Sequence, residues 1–87
     1  MNIILHAHFK KQYAKLRAHE KEKFKERRDL FLEDPFHPVL NNHPLQGKYV
    51  GYRSINVAGD LRLIYRLIEK DMAYFITIDT HSKLYGS

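Results

Sequence analysis

The hydrophobic rhythm of the chain changes once, across a proline-broken stretch between Asp34 and Gly47. Before it, apolar residues recur at helical spacing. Phe9, Tyr13 and Leu16 fall at i, i+4 and i+7 within Ala7 to Ala18. Phe24 and Phe31 lie seven apart within His19 to Glu33, with Leu30 and Leu32 widening the stripe. After the break, Tyr49 to Val57 alternates, and Leu61 to Ile68 (LRLIYRLI) is dense in strand formers. Met72 to Ile78 (MAYFITI) is apolar almost throughout, as a strand inside a sheet should be. Asp34-Pro35 ends the second helix, since the residue before proline is pushed out of helical space. Pro38, Asn41, Asn42 and Pro44 hold the following residues in a loop. Ala58-Gly59-Asp60 and Lys70-Asp71 supply turns, Gly59 being free to take a positive φ. Asn2 to Leu5 reads as a short buried strand. The expected fold is therefore α+β: an N-terminal strand, a helical hairpin, then a three-stranded antiparallel meander, together forming one twisted antiparallel sheet with the helices on one face.

Eighty-seven residues hold one core, so residues 1–87 are expected to form a single domain. Fifteen basic against ten acidic side chains give a net charge of +5. Such a field favours a polyanionic partner, nucleic acid first and an acidic protein second, although a soluble protein that is merely basic fits as well. With no cysteine there is no disulfide and no thiolate metal site, which suits a reducing cytosol. No apolar run approaches the roughly 20 residues that span a bilayer, and Ile3 to Leu5 is too short for a signal-peptide core. A soluble, cytoplasmic protein without membrane contact is expected. The charge run Glu20 to Lys23, and Glu22 and Glu26 among Lys25, Arg27 and Arg28, reads as solvated pairing along a helix rather than a contact face.

Residues able to do chemistry collect in the second half. His43 lies in the loop run Asn42-His43-Pro44-Leu45-Gln46-Gly47, where a proline-bounded imidazole suits a groove better than a core. Lys48, Arg53, Asn56, Asp60, Arg62 and Arg66 stud the hairpin. The tail Asp79-Thr80-His81-Ser82-Lys83-Leu84-Tyr85 emerges from the apolar strand at the sheet edge. Imidazoles exchange protons near neutral pH, and guanidinium forks grip phosphate oxygens in pairs. Together they suit RNA cleavage without a metal: a base for the 2′-OH, an acid for the leaving 5′-oxygen, cations for the phosphorane. No cofactor is called for. Metal hydrolysis is disfavoured, since there is no His-x₃-His pair and no dense carboxylate cluster. Residue types alone leave plainer roles open. Any one His can be an ordinary surface residue, Arg53 and Arg62 can decorate a wet sheet face, Asp60 can be a turn former, and Tyr85 can anchor the tail.

Four motifs carry a resemblance: His43-Pro44-Leu45-Gln46-Gly47; Gly51-Tyr52-Arg53; Asp60 opening an L-x-L-I-Y strand; and Thr80-His81-Ser82-x-Leu84-Tyr85. In this order and spacing they resemble YafQ-like toxins of the RelE/ParE superfamily of type II toxin–antitoxin systems. The similarity covers essentially the whole chain. It implies a microbial-RNase-like α+β toxin, an endoribonuclease (mRNA interferase) that cuts mRNA in the ribosomal A site and stops translation. It implies as partners the ribosome, its mRNA and a cognate DNA-binding antitoxin with an acidic or amphipathic segment, with operator DNA reached only through the antitoxin complex. By position, His43 and His81 match the family's catalytic histidines and Asp60 its catalytic aspartate. Tyr85 stands where YafQ-like members have Phe and RelE has a catalytic Tyr. Arg53 and Arg62 fall where RelE-type members bind phosphate. Lys48, Asn56 and Arg66 join them as candidate phosphate- or RNA-binding residues on residue type alone. Asn56 departs from the pattern, which has another His there, and Leu61 replaces a nearby Trp. Asn cannot exchange a proton near neutral pH, so proton transfer falls to His43, His81, Tyr85 or Asp60. Two other functions fit the same fold: a ParE-like inhibitor of DNA gyrase, and a catalytically weakened toxin kept to bind antitoxin.

Overall fold

The helical half is two helices because the chain breaks at Lys15–Arg17. In the computed structural model, which describes residues 1–85, β1 (Asn2–Leu5) leads into α1 (Ala7–Ala14). His6 caps α1 with its ring Nδ1, which accepts from the His8 N–H at 2.9 Å. The helix ends a turn earlier than the apolar spacing predicts. The Lys15 N–H closes back on the Gln12 and Tyr13 carbonyls, and Arg17 takes an extended conformation. Glu20 makes the restart favourable: its carboxylate accepts from the Arg17 N–H at 2.9 Å, three residues back, and so opens α2 (Ala18–Glu33). Asp34 ends α2 in an extended conformation, as the following proline requires. Leu16 still packs against the core, but Leu32 is 40% exposed and lies outside the stripe assigned to it from sequence.

Beyond α2, a 3-10 turn at Pro38–Leu40 leads to β2 (His43–Pro44), and a second such turn at Gly47–Tyr49 leads to β3 (Arg53–Ala58), β4 (Leu61–Glu69), β5 (Met72–Thr80) and α3 (His81–Tyr85). Two expectations change here. The strand predicted from Tyr49 begins only at Arg53, because Gly47 and Gly51 hold positive φ (65° and 89°) and turn the chain between them. The loop supplies an edge strand instead: His43 lies opposite Ser54, and the Leu45 N–H donates to the Tyr52 carbonyl at 3.0 Å.

The sheet runs β1-β5-β4-β3-β2. The β3-β4-β5 meander is antiparallel as expected, with Gly59 at φ 49° in its first turn. The sheet as a whole is mixed, because β1 pairs parallel to β5, Asn2 beside Met72 and Leu5 beside Phe75. After the helices the chain enters β2 running opposite to β1, and the three reversals that follow leave β5 pointing the same way as β1.

Strand alternation sorts the two faces. Ile55 and Val57 of β3 and Leu63 and Tyr65 of β4 join Phe9, Phe24, Phe31 and Phe75 in the core beneath the helices. Phe31 is its centre, edge-on to Tyr65 at 4.9 Å and to Phe75 at 5.7 Å. Ser54, Asn56, Arg62, Ile64 and Arg66 alternate with these core residues and so turn to the opposite face, away from α1 and α2. Ile64 and Leu84 are buried yet stand outside the main cluster. No helix among the described residues is long and apolar enough to cross a membrane.

Candidate active site

The sheet face away from α1 and α2 holds an open cleft of about 400 Å³, lined by His43, Ser54, Arg62, His81 and Tyr85 together with Asn41, Pro44, Leu45 and Gln46. Loop, hairpin and tail thus each bring a functional side chain to one place.

His43 is held from behind. Its Nδ1 lies 2.7 Å from the Asn41 carbonyl oxygen, which can only accept, so Nδ1 carries a proton. In the neutral ring, Nε2 is then left with its lone pair. Asn41 is the one non-glycine residue at positive φ (47°) among those described, a conformation Asn tolerates. Asn42 pins the loop to the fold. Its amide nitrogen donates to the Pro35 carbonyl at 2.9 Å and to the Tyr65 hydroxyl at 2.7 Å, while its carbonyl accepts from Arg53 Nε at 2.7 Å. Burial pushes the Tyr65 phenol above its ordinary pKa, outweighing the opposing pull of Asn42 and Arg53.

On the far wall, the His81 N–H donates to the Asp60 carbonyl at 3.0 Å, tying the tail to the β3–β4 turn. The His81 ring lies 4.5 Å from that of Tyr85, centre to centre. Tyr85 in turn meets Tyr49 edge-on at 6.2 Å. Burial, then the neighbouring Tyr85, raises the Tyr49 phenol pKa. Arg62 stands across the hairpin from Asn56 and donates through Nη1 to the Gly59 carbonyl at 2.9 Å. Nε and Nη2 of that guanidinium have no protein partner among the described residues.

Three buried polar atoms also lack a protein hydrogen-bond partner among the described residues: Ser54 Oγ, Asn56 Oδ1 and Tyr85 OH. Ser54 and Tyr85 line the cleft itself. An unpaired buried polar group costs about 1–3 kcal/mol, so such groups cluster where a fold has uses other than stability. Sequence reasoning passed over Ser54. The signal was the polar–apolar–polar run Ser54-Ile55-Asn56, which puts a hydroxyl on the same face as Asn56.

Five of the residues singled out from sequence lie elsewhere. Arg53 is corrected most sharply. It alternates with Ser54 and so shares the helix side with Ile55, its Nε is taken by Asn42, and its guanidinium lies over the Phe36 ring at 5.2 Å. It braces the loop and does not reach the cleft. Asp60 is exposed at the turn and meets the site through its backbone carbonyl. Asn56 is half-buried beside Arg62 but does not line the cleft. Lys48 and Arg66 are exposed, over the rings of Tyr49 at 5.3 Å and Tyr52 at 5.7 Å. Among the described residues, no group of three or more His, Asp or Glu side chains is placed to hold a metal ion.

A mixed sheet backed by two helices is the fold of the small RelE/ParE-like bacterial toxins. The YoeB/ParE toxin from Agrobacterium tumefaciens shares the fold with a TM-score of 0.78, covering 93% of this chain and 99% of its own, at 21% identity. The chain belongs to the YafQ family, described as bacterial toxins of type II toxin–antitoxin systems, whose profile matches residues 1–86. The crystal structure of YafQ from Escherichia coli BL21(DE3) superposes with a TM-score of 0.82 at 28% identity, over 98% of both chains. YafQ in the E. coli DinJ–YafQ toxin–antitoxin complex does so with a TM-score of 0.79 at 28% identity, over 98% of this chain and 97% of its own. The curated mRNA interferase toxin YafQ of E. coli K12 is 42% identical over 52 residues, which is 60% of this chain and 55% of that protein, so the match spans about half of the relative's length.

Proposed function

We propose that the chain is an mRNA interferase: an endoribonuclease toxin that cuts mRNA on the ribosome by acid–base chemistry and is neutralised by a cognate antitoxin. The reading rests on one observation, the convergence of His43, Arg62, His81 and Tyr85 on a single cleft. The names of its relatives, an mRNA interferase and a DinJ–YafQ complex, support it.

In this reaction the RNA 2′-oxygen attacks the adjacent phosphorus and the bond to the 5′-oxygen breaks, leaving a 2′,3′-cyclic phosphate and a 5′-hydroxyl. His43 takes the 2′-OH proton on Nε2, since Nδ1–H is committed to Asn41. His81, on the opposite wall beside Tyr85, returns a proton to the leaving oxygen. Arg62 stabilises the phosphorane with the N–H groups not spent on Gly59. Asp60 holds the His81 backbone in place. Asn56 takes no part in proton transfer.

The test is a translation reaction on ribosomes with mapped mRNA ends. The native chain should cut mRNA within the occupied A site. His81→Ala and His43→Ala should each lower cutting by about 10²–10⁴-fold while leaving the fold intact. Intact mRNA beside blocked DNA supercoiling would sink the proposal in favour of gyrase inhibition.

A further inference from the structure

Beyond the cleft, on the sheet face away from α1 and α2, lie Tyr49, Tyr52, Lys48 and Arg66, none of which the cleavage scheme uses. Four rings form an unbroken line leading outward: His81 to Tyr85 at 4.5 Å, Tyr85 to Tyr49 at 6.2 Å, and Tyr49 to Tyr52 at 6.3 Å. They come from the tail, the second 3-10 turn and the approach to β3, so no single helical or strand repeat produces the row. Cations are interleaved with them. Lys48 lies over Tyr49, and Arg66, which alternates with the core residue Tyr65, lies over Tyr52. At the outer end Tyr52 lines a second hollow of about 260 Å³ with Gly51, Arg53 and Leu67, the last two reaching it from the helix side, and Pro44 belongs to both hollow and cleft.

Core packing does not account for this row. Tyr49 and Tyr52 are only half-buried, Lys48 and Arg66 are exposed, and none of the four belongs to the main apolar cluster. Rings alternating with cations match one ligand class closely. In a single-stranded nucleic acid each nucleotide offers a flat base to a ring and a phosphate to a cation. The Tyr52 ring meets an exposed side chain, Arg66 at 5.7 Å, so a base can compete for that contact. Arg66 is exposed and free to swing out to a phosphate.

We propose that Tyr52, with Arg66 and Tyr49, forms a nucleobase-stacking subsite for single-stranded RNA, holding a base of the strand whose phosphate sits in the cleft. The proposal rests on the ribonuclease reading for its orientation, since the cleft fixes which nucleotide is being held. It gives the protein a grip on RNA that does not depend on the ribosome.

The experiment is fluorescence anisotropy of a short labelled oligoribonucleotide, carrying one 2′-deoxy sugar to block cutting, titrated with the otherwise native chain. Tyr52→Ala should weaken binding about ten-fold, the usual value of one base–aromatic stack, and Tyr52→Phe should bind as the native chain does. Arg66→Gln, at an exposed position, should weaken binding and lower the salt slope by about one. Removing the base next to the deoxy sugar should weaken binding to the native chain and erase the effect of Tyr52→Ala. Equal affinity of the native and Tyr52→Ala proteins, or an unchanged Tyr52→Ala effect on the abasic strand, overturns the subsite. A failed ribonuclease reading registers elsewhere, as uncut mRNA with the native chain, so the two outcomes are separable.

Discussion

Asn42 does more than its place in a loop suggests. Its one amide meets three partners, the Pro35 carbonyl, the Tyr65 hydroxyl and Arg53 Nε, and so fixes the segment that carries His43. Replacing it with Ala leaves the buried Tyr65 oxygen and the Arg53 N–H unpaired. It should cost about 1–3 kcal/mol in a urea titration and lower mRNA cutting as well. Tyr65 carries a pH signature. Its phenol is raised in the folded state, so the unfolded chain ionises first, near the ordinary pKa of 10.0. Its contribution is complete below that pH and is lost as pH rises through the higher folded value. Alkaline denaturation should therefore begin near pH 10, and Tyr65→Phe should flatten that limb. Neither role could be read from sequence. Asn42 looked like punctuation between prolines, and Arg53 looked like a phosphate ligand because charge says nothing about which side of a strand faces a ligand.

At the scale of elements, strong periodicity was readable and short interruptions were not. β4, β5, α2 and the meander follow from their apolar patterns, because each buries enough side chain to impose its period. The break at Lys15–Arg17 hangs on one carboxylate, that of Glu20, and β2 has two residues, too few for any period to register. Glu20→Ala removes the cap on α2 and should destabilise the fold by about 0.5–2 kcal/mol in the same titration. Phe31→Ala, beneath both Tyr65 and Phe75, should cost more, about 3–5 kcal/mol. The candidate site was half legible for the same reason. His43, Arg62, His81 and Tyr85 meet because a loop strand and a short terminal helix flank the hairpin, and neither element shows a repeat in the sequence.

For the whole molecule, the net charge of +5 sets how binding responds to salt. RNA affinity should fall linearly in a plot of log affinity against log salt, with a slope proportional to the number of phosphates neutralised. A flat plot would mean that the basic surface serves something other than a polyanion. The sheet also has an order of assembly written into it. β1 is the first strand made, yet its partner is β5, some seventy residues later. Until residue 75 has been synthesised, the first strand has nothing to pair with. Tyr85 lies later still, so the histidines and phenol cannot meet until residue 85 has been made. On the ribonuclease reading, a copy still short of residue 85 lacks a complete cleft and should not cut RNA.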